Sequence, residues 1–328
     1  PRVRRQRQMC IRDSDNRPLY NSVDASLLLF EQVKKFLNYT KDYEFVKEKI
    51  YNSLIKVIDS YIQGIDYDNN NIWLDEDGLL VSGTEHTQNT WMDAKVGEHC
   101  VTPRNGKAVE INAMWYNALK IAEELTKLYG TKEQTKKYSN LAEKCKKSFE
   151  VKFYNKKRKC LYDVIGDSKI RPNQLFAISL TYPVLEPDSE MAKEMFETVT
   201  KKLLNNYGLK TLAKGEAFYK DVYEGDVLKR DMSYHQGITW PWLLGVYADG
   251  FKNIIKAEKN ETQKSKLKQE YESFAKNVEE TFTKEMYENS TVGSISELYD
   301  SKKPYLAKGA FAQAWSVSEV FKIILQKG

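Results

Sequence analysis

Two carboxylates in separate glycine-bearing loops have the residue types that hydrolytic chemistry needs. Asp93 lies just after the aromatic anchor Trp91 in the string TWMDA at 90–94. Glu297 is a lone acid among apolar and hydroxyl-bearing residues in GSISELYD at 293–300. General acid–base hydrolysis, as in glycoside cleavage, requires one carboxyl group that protonates the leaving oxygen and a second that activates water or attacks carbon. Asp93 and Glu297 are therefore the candidate pair, provided that the fold brings their loops together.

Tryptophans accompany the carboxylates, and that combination favours recognition of a sugar. The connection that carries Asp93 begins with WLDEDG at 73–78 and continues to Trp91. Carboxylates accept hydrogen bonds from hydroxyl groups, and an indole face covers the apolar side of a pyranose ring. Asp75 and Asp77 are equally well explained as turn or helix-cap residues.

A third segment, YHQGITWPW at 234–242, groups aromatic and hydrogen-bonding side chains. Proline is tolerated best near the start of a helix, so Pro241 predicts that this segment opens a helix at the rim of a pocket. His235 alone would suit a structural role. Its neighbours, which include Gln236 and Trp242, favour ligand contact instead.

Helical periodicity supplies the elements that must position these loops. Apolar residues three and four apart predict an all-α protein of about nine helices with no clear strand runs. Isolated hairpins in the long connections are compatible with this prediction. The predicted helical stretches are 23–37, 43–63, 107–129, 132–152, 171–182, 188–204, 233–248, 253–284 and 308–326. Long connections at 64–106, 205–232 and 285–307 carry the candidate residues, and we expect them to cluster at one end. An open solenoid and a closed toroid both fit such a row, but no repeat at a period of 34–47 residues is present, which favours the toroid.

The charge distribution sets residues 1–14 apart from the rest of the chain. Four arginines at positions 2, 4, 5 and 7 account for most of the net charge, which falls from +5 to +1 without them. We expect 1–14 to be a disordered or non-native leader and 15–328 to form one domain. A basic nucleic-acid arm is the alternative for the leader, but the nearly neutral remainder argues against a nucleic-acid partner.

Composition excludes several other classes of protein. No span of about 18 apolar residues predicts a membrane helix, and no apolar stretch behind the arginines predicts a secretory signal, so we expect a cytoplasmic protein. Cys10, Cys100, Cys145 and Cys160 show no CxxC spacing, and the three histidines show no metal-ligand spacing. The sequence therefore predicts reduced cysteines, no metal site and no cofactor.

Eight strings together resemble one known family. They are LYNSVDAS (19–26), TWMDA (90–94), GKAVEINAMWYN (106–117), RPNQLFA (171–177), YHQG (234–237), WPW (240–242), SE (296–297) and AQAWS (312–316). Their order and spacing resemble the amylo-α-1,6-glucosidase domain of glycogen debranching enzymes and, more distantly, glucoamylases and trehalases. The resemblance implies an (α/α)6 toroid with Asp93 as general acid and Glu297 as general base. Further helices normally precede LYNSVDAS, so we expect an N-terminally truncated toroid with about nine of twelve helices.

The resemblance also implies a substrate and the residues that bind it. The reaction would remove a single α-1,6-linked glucose from a trimmed branch of glycogen or a branched α-glucan, with inversion at the anomeric carbon. A preceding glucan-binding or transferase domain would belong to the parent protein. Alternatives are a glucoamylase-like or trehalase-like exo-α-glucosidase and a catalytically dead, truncated glucan-binding helical module. The implied sugar-binding residues are Asp24, Trp91, Glu110, His235, Gln236, Trp240, Trp242 and Gln313, of which Asp24 and Glu110 suit a structural role equally well.

Overall fold

The computed structural model describes residues 22–66, 70–289 and 292–326. About 54 % of the described residues are helical, so the predicted helical character is confirmed. The helices are α1 (Ala25–Thr40), α2 (Tyr51–Gln63), α3 (Val109–Tyr129), α4 (Lys132–Phe153), α5 (Phe176–Ser179), α6 (Glu190–Leu203), α7 (Val227–Asp231), α8 (Leu243–Ala257), α9 (Glu261–Glu288) and α10 (Ala314–Leu325). A helical turn, Tyr43–Phe45, and a π-helical stretch, Val46–Ile50, lead into α2. The predicted leader, 1–14, lies outside the described residues.

Side-chain caps fix where several of the helices begin. Thr131 and Gln134 form a reciprocal capping box at the start of α4. Asn260 accepts a hydrogen bond from a backbone N–H in the first turn of α9. Each such cap satisfies a backbone donor that lacks a partner in the helix and contributes about 1 kcal/mol. These polar residues therefore set boundaries that apolar periodicity alone leaves open.

The helices pack in a regular order around the central helix α3. Helix α3 is buried on nearly every face, includes the fully buried Trp115, and contacts α1, α2, α4 and α5. Contacts then continue from α5 to α8 and from α8 to α10, while α9 packs against both α8 and α10. Side chains at the far end also join α10 to α1, where Gln326 Nε2 donates to the Tyr39 hydroxyl at 3.3 Å. Helices α1, α3, α5, α8 and α10 thus form one contacting series.

Strands are present, and the five-stranded sheet goes beyond the isolated hairpins that the all-α prediction allowed. The strands are β1 (Trp73–Leu74), β2 (Leu80–Val81), β3 (Lys95–Val96), β4 (His99–Cys100), β5 (Tyr154–Asn155), β6 (Cys160–Leu161), β7 (Leu204–Asn205), β8 (Gly208–Lys210), β9 (Thr239–Trp240), β10 (Leu298–Tyr299) and β11 (Ala307–Lys308). Strands β11-β10-β9-β8-β7 form an antiparallel sheet in that order. Each strand has only two or three residues, too few for the alternation by which a sequence reveals a strand.

The five-stranded sheet also explains why two predicted helices have different bounds. The predicted helix at 233–248 is interrupted because Thr239–Trp240 pairs in the sheet, and α8 begins only at Leu243, just after Pro241. The predicted helix at 308–326 begins later, at Ala314, because Ala307–Lys308 pairs with β10. Pro241 does lie near a helix start, as its chemistry predicts.

The three long connections contact one another. The Ser301 N–H donates to the Asp221 carbonyl at 2.8 Å, and the Tyr223 N–H donates to Asp300 Oδ1 at 2.8 Å. Helix α7, within the second connection, packs against β3 in the first. The expectation that 64–106, 205–232 and 285–307 meet is therefore confirmed for their described parts.

Candidate functional site

Glu297 immediately precedes β10, an inner strand of the five-stranded sheet, and is fully buried. The Tyr234 hydroxyl donates to Glu297 Oε1 at 2.5 Å, and the Ala310 N–H donates to Oε2 at 2.9 Å. Gln313 Nε2 makes a longer contact to Oε1 at 3.4 Å. The two carboxylate oxygens are therefore held from both sides, so the orientation of the carboxylate is fixed.

Asp93 is more accessible than Glu297. It lies in the connection between β2 and β3, and 32 % of its side chain is exposed. Its Oδ1 is 3.7 Å from Nε2 of His235, which is fully buried. Burial lowers the pKa of His235, and the nearby Asp93 opposes that shift. His235 is therefore a neutral neighbour of Asp93 at neutral pH.

One turn of chain joins the two carboxylates. Tyr234 and His235 are consecutive, and they contact Glu297 and Asp93 respectively. The turn precedes β9, whose Thr239 pairs with Tyr299 of β10, two residues after Glu297. The sheet therefore fixes the Glu297 loop against this turn, and the turn reaches across to the Asp93 loop.

An aromatic box surrounds this junction, and we use that name for Trp91, His235, Trp240, Trp242 and Trp315. Trp91 meets Trp242 edge-on at 4.9 Å between centroids, and Trp242 stacks on Trp315 at 4.9 Å. His235 stacks on Trp240 at 5.1 Å. The buried indole N–H groups of Trp242 and Trp315 and both His235 nitrogens have no hydrogen-bond partner among the described residues. The box thus combines apolar faces with polar atoms that a bound hydroxyl-rich molecule would satisfy.

Asp24 belongs to the same site. Its Oδ1 accepts from the Ser22 hydroxyl at 2.6 Å, and the Trp91 backbone also hydrogen-bonds it. Burial raises the pKa of Asp24, and the charge of Asp93 adds to the rise, which shows that the two carboxyl groups are electrostatic neighbours. The raised pKa favours the protonated form of the Asp24 carboxyl group, and that form can donate as well as accept a hydrogen bond.

Glu110 has a different environment from the one expected of a sugar ligand. It is fully buried at the start of α3, and both of its carboxylate oxygens accept from the Arg104 guanidinium. Arg104 also makes a two-point contact to Asp163, at 2.7 and 3.1 Å. Glu110 is therefore one member of a buried ion-pair cluster that supports the site from behind. Sequence alone gave no sign that Arg104 is its partner.

Gln236 and Trp240 also have structural partners. The Gln236 amide nitrogen donates to the Val101 carbonyl and to the Thr102 hydroxyl, both at 2.9 Å, so it links its turn to the Asp93 connection. Trp240 is almost fully buried, and its Nε1 donates to the Tyr234 carbonyl at 3.1 Å. Gln313 lies at the start of α10, where its Oε1 accepts from the Ala314 N–H. Of these three, Gln313 is next to a candidate catalytic group.

Sequence reasoning missed Tyr234 and Trp315 as site residues. Tyr234 contacts Glu297 directly, and Trp315 contributes a ring to the aromatic box. Both occur in the strings YHQG and AQAWS that were already singled out, so their position beside selected residues was the available signal. Asn173 was missed as well, although its Oδ1 accepts from Trp91 Nε1 at 2.8 Å.

Other predictions concern groups away from the junction. Asp75 and Asp77 both pair with Lys107 in a turn, which matches their structural interpretation. Cys100, Cys145 and Cys160 are buried and free, while Cys10 lies outside the described residues. Within the described parts of the chain, no cluster of His, Cys, Asp and Glu could hold a metal ion. No helix in those parts combines the length and apolar character of a membrane span.

Comparison with known proteins gives a family match over most of the chain. A family profile described as amylo-alpha-1,6-glucosidase matches residues 10–322. A glycogen debranching enzyme of Saccharomyces cerevisiae (strain ATCC 204508 / S288c) is 25 % identical over 226 residues, covering 54 % of this chain and 14 % of that protein. The chain therefore spans only a small part of the length of this relative.

Two solved structures resemble the fold at low sequence identity. A sialidase aligns with a TM-score of 0.64 and 13 % identity, over 96 % of this chain and 27 % of its own. A GH78 family rhamnosidase of Bacillus sp. GL1 aligns with a TM-score of 0.57 and 12 % identity, over 92 % of this chain and 26 % of its own. At these identities the likeness concerns the fold alone.

Proposed function

Because the chain belongs to the amylo-alpha-1,6-glucosidase family, we propose that it hydrolyses the α-1,6 bond of a single glucose residue left on a trimmed glycogen or limit-dextrin branch. The reaction would invert the anomeric carbon. The observation that carries this proposal is the junction in which consecutive residues, Tyr234 and His235, contact Glu297 and Asp93. Glycoside hydrolysis requires two carboxyl groups that flank the scissile bond.

The different environments of the two acids support their separate roles. Asp93 is partly open to solvent and can approach the leaving oxygen, so it acts as general acid. Glu297 is buried and oriented by Tyr234 and by the Ala310 N–H, so it acts as general base toward a single positioned water. For that water to reach Glu297, Tyr234 or the segment from Ala310 to Gln313 has to move when substrate binds. Inversion further requires that the carboxyl groups stand about 6.5–9.5 Å apart in the bound state.

The aromatic box supports recognition of a glucose ring. Trp91 and Trp242 supply apolar faces, and Trp315 extends them. Asp24 and His235 are polar neighbours of Asp93, and we assign them to binding of hydroxyl groups. Glu110, Gln236 and Trp240 support the loops from behind. This assignment uses residues of the chain alone and requires no metal or organic cofactor.

The series of contacts from α1 through α3, α5, α8 and α10 is consistent with the inner ring of an (α/α)6 toroid, which we propose as the architecture. The described helices would form most of the ring. Because the chain spans 14 % of the yeast relative, a further glucan-binding or transferase domain in the parent protein is part of the proposal.

A glucan-binding module without turnover is the second candidate, and the complete burial of Glu297 favours it. Incubating the purified chain with a singly branched limit dextrin, maltose and trehalose separates the candidates. We expect release of β-glucose from the limit dextrin and from neither disaccharide. Proton NMR detects the anomer that is released. Preferred cleavage of maltose or trehalose would indicate an exo-glucosidase, and glycogen binding without glucose release by the folded chain would indicate the module.

A further inference from the structure

One 3-10 turn beneath the site contacts the Asp93 loop and, through the adjacent Arg171, the Tyr234–His235 turn. The turn spans Pro172–Leu175 and follows Arg171, in the string RPNQ. Arg171 and Asn173 are both buried, and neither contacts Asp93 or Glu297 directly. Their partners are instead Trp91, two residues before Asp93, and His235 and Gln236 in the turn that contacts both acids.

Asn173 binds the loop that carries Asp93. Its Oδ1 accepts from Trp91 Nε1 at 2.8 Å, and Trp91 lies two residues before Asp93. Its Nδ2 donates to Asp163 Oδ1 at 2.8 Å. The amide group therefore bridges the indole of the site to the buried ion-pair cluster, and both ends of the amide are used.

Arg171 binds the turn that carries Tyr234 and His235. One guanidinium nitrogen donates to the His235 carbonyl at 2.7 Å and to the Thr211 carbonyl at 3.0 Å. The other donates to Gln236 Oε1 at 3.0 Å, and Gln236 in turn reaches Val101 and Thr102. The turn that carries Tyr234 and His235 is thus fixed from below by one cation.

The cluster beneath the turn is electrically balanced. Arg104 and Arg171 supply two positive charges, and Glu110 and Asp163 supply two negative charges, all in side chains that are at most 4 % exposed. Removing one member of such a group leaves an uncompensated buried charge, which is costly. The 3-10 turn Pro172–Leu175 therefore has little freedom to shift by itself. It can fix the positions of the Asp93 loop and of the Tyr234–His235 turn relative to each other.

We propose that Asn173 and Arg171 are positioning residues that set the distance between the Asp93 loop and the Tyr234–His235 turn. This inference rests on the proposed function for its kinetic readout. Displacing a reacting group by about 1 Å from its productive position costs on the order of 10²-fold in rate. Asn173 and Arg171 act through the Asp93 loop and the Tyr234–His235 turn, so we expect a larger effect on kcat than on KM.

A double-mutant cycle tests the role of Asn173. Asn173→Ala is expected to lower kcat by about 10-fold or more with little change in KM. In a Trp91→Phe background, which lacks the indole N–H, adding Asn173→Ala is expected to lower kcat only slightly further. If Asn173→Ala lowers kcat by the same factor in the wild-type and in the Trp91→Phe background, the two residues act independently and the proposal for Asn173 is wrong.

Arg171→Lys tests the other half without removing the buried charge. A lysine ammonium cannot reach the His235 carbonyl and the Gln236 amide in the guanidinium geometry, so kcat should fall while the melting temperature changes little. Arg158→Lys is the control, because Arg158 bonds the Ser168 carbonyl and the Glu216 carboxylate rather than the Asp93 loop or the Tyr234–His235 turn. Equal losses of kcat in the two variants, or losses that follow the melting temperature, would contradict the proposal.

A spectroscopic arm distinguishes failure of this inference from failure of the proposed function. Lack of glucose release by the wild-type chain would contradict the proposed function but would leave the positioning role of Asn173 open to test. Near-UV circular dichroism would still report the arrangement of the tryptophans in the aromatic box. Asn173→Ala is expected to weaken those bands while the far-UV spectrum stays the same. Asn253→Ala, whose amide bonds the Ile178 and Leu180 carbonyls rather than a residue of the aromatic box, should leave both spectra unchanged. Unaltered near-UV bands in Asn173→Ala would overturn the inference.

Discussion

The Tyr234 hydroxyl donates a 2.5 Å hydrogen bond to Oε1 of Glu297. The next residue in the chain, His235, is 3.7 Å from Asp93 through its Nε2. Because one dipeptide contacts both acids, a displacement of this turn alters the environments of both together. The properties of Asp93 and Glu297 are therefore coupled through the backbone, which the following predictions use.

The first prediction separates the roles of the acids. Asp93→Asn removes the proton donor, so hydrolysis of a natural α-1,6 glucan should fall on the order of 10²–10⁴-fold. An activated substrate such as α-glucosyl fluoride has a leaving group that departs without protonation, so its hydrolysis should fall much less. Initial rates on both substrates measure the difference.

Glu297→Gln tests the proposed general base in the same way that Asp93→Asn tests the proposed general acid. The amide keeps the shape of the side chain but cannot deprotonate water, and water attack is needed for either substrate. Both the natural glucan and the fluoride should therefore react slowly, with equilibrium binding of glucan checked in each variant. Equal recovery of the Asp93 and Glu297 variants on the fluoride, or retention of anomeric configuration, would refute the assignment.

The second prediction concerns the close approach of the chain to Glu297. Gly309 has a φ of +72°, and a Cβ there would stand 2.3 Å from Glu297 Oε2. Gly309→Ala should therefore displace the carboxylate and cost on the order of 10²-fold in kcat. Gly166→Ala is the control, since Gly166 also has a positive φ, +95°, but no described atom lies within 4 Å of its added Cβ.

The control variant Gly166→Ala measures the cost of placing a side chain on a backbone with positive φ. Both substitutions place a side chain in the left-handed region, which costs about 1–2 kcal/mol of stability each. Only Gly309→Ala should lose activity beyond that shared destabilisation. Equal activity in the two variants would show that the Glu297 carboxylate tolerates displacement.

The third prediction concerns Glu110, which lies behind the site. Glu110→Gln leaves Arg104 without one of its two carboxylate partners in a fully buried cluster. The free energy of unfolding should fall by about 3–5 kcal/mol. Urea unfolding followed by circular dichroism measures it, with the exposed Glu48→Gln as the control. A change as small as that of the control would mean that the Arg104 charge is already satisfied by Asp163.

The fourth prediction follows from the lowered pKa of His235. Burial depresses the pKa in the folded state, so the unfolded state binds the proton more readily. Stability conferred by the neutral form is present above the unfolded-state pKa of about 6.5 and is lost as pH falls below it. For one group the slope is at most about 1.4 kcal/mol per pH unit.

His235→Gln should remove this slope between pH 7 and 5. His86, whose side chain is 70 % exposed, supplies the control variant His86→Gln, which should keep the wild-type slope. Unfolding free energies at several pH values provide the comparison. A wild-type slope in His235→Gln would mean that another group accounts for the acid sensitivity.

Much of the helical framework could be predicted because its signals are local. The apolar periodicity of α3 and α4 and the capping residues Thr131 and Gln134 lie within the segments that they determine. The strand at Thr239–Trp240 could not be predicted in the same way. Its two residues acquire their structure from pairing with Leu209 and Tyr299, which are distant in sequence.

The candidate site shows the same division between residue type and environment. Asp93 and Glu297 could be nominated from their residue types and loop positions. The contact between Tyr234 and Glu297 depends on the sheet register, and the pairing of Glu110 with Arg104 depends on how the start of α3 faces the preceding loop. Neither relationship has a signature in the sequence near either residue.

The unequal exposure of the two acids has a consequence for inhibitor chemistry. A compound with an ammonium group in place of the anomeric carbon can pair with Asp93 directly, because a third of that side chain is open to solvent. A group aimed at Glu297 must first displace Tyr234 or Gln313. Compounds of the first kind should therefore associate quickly, whereas compounds that engage both acids should bind slowly and dissociate slowly.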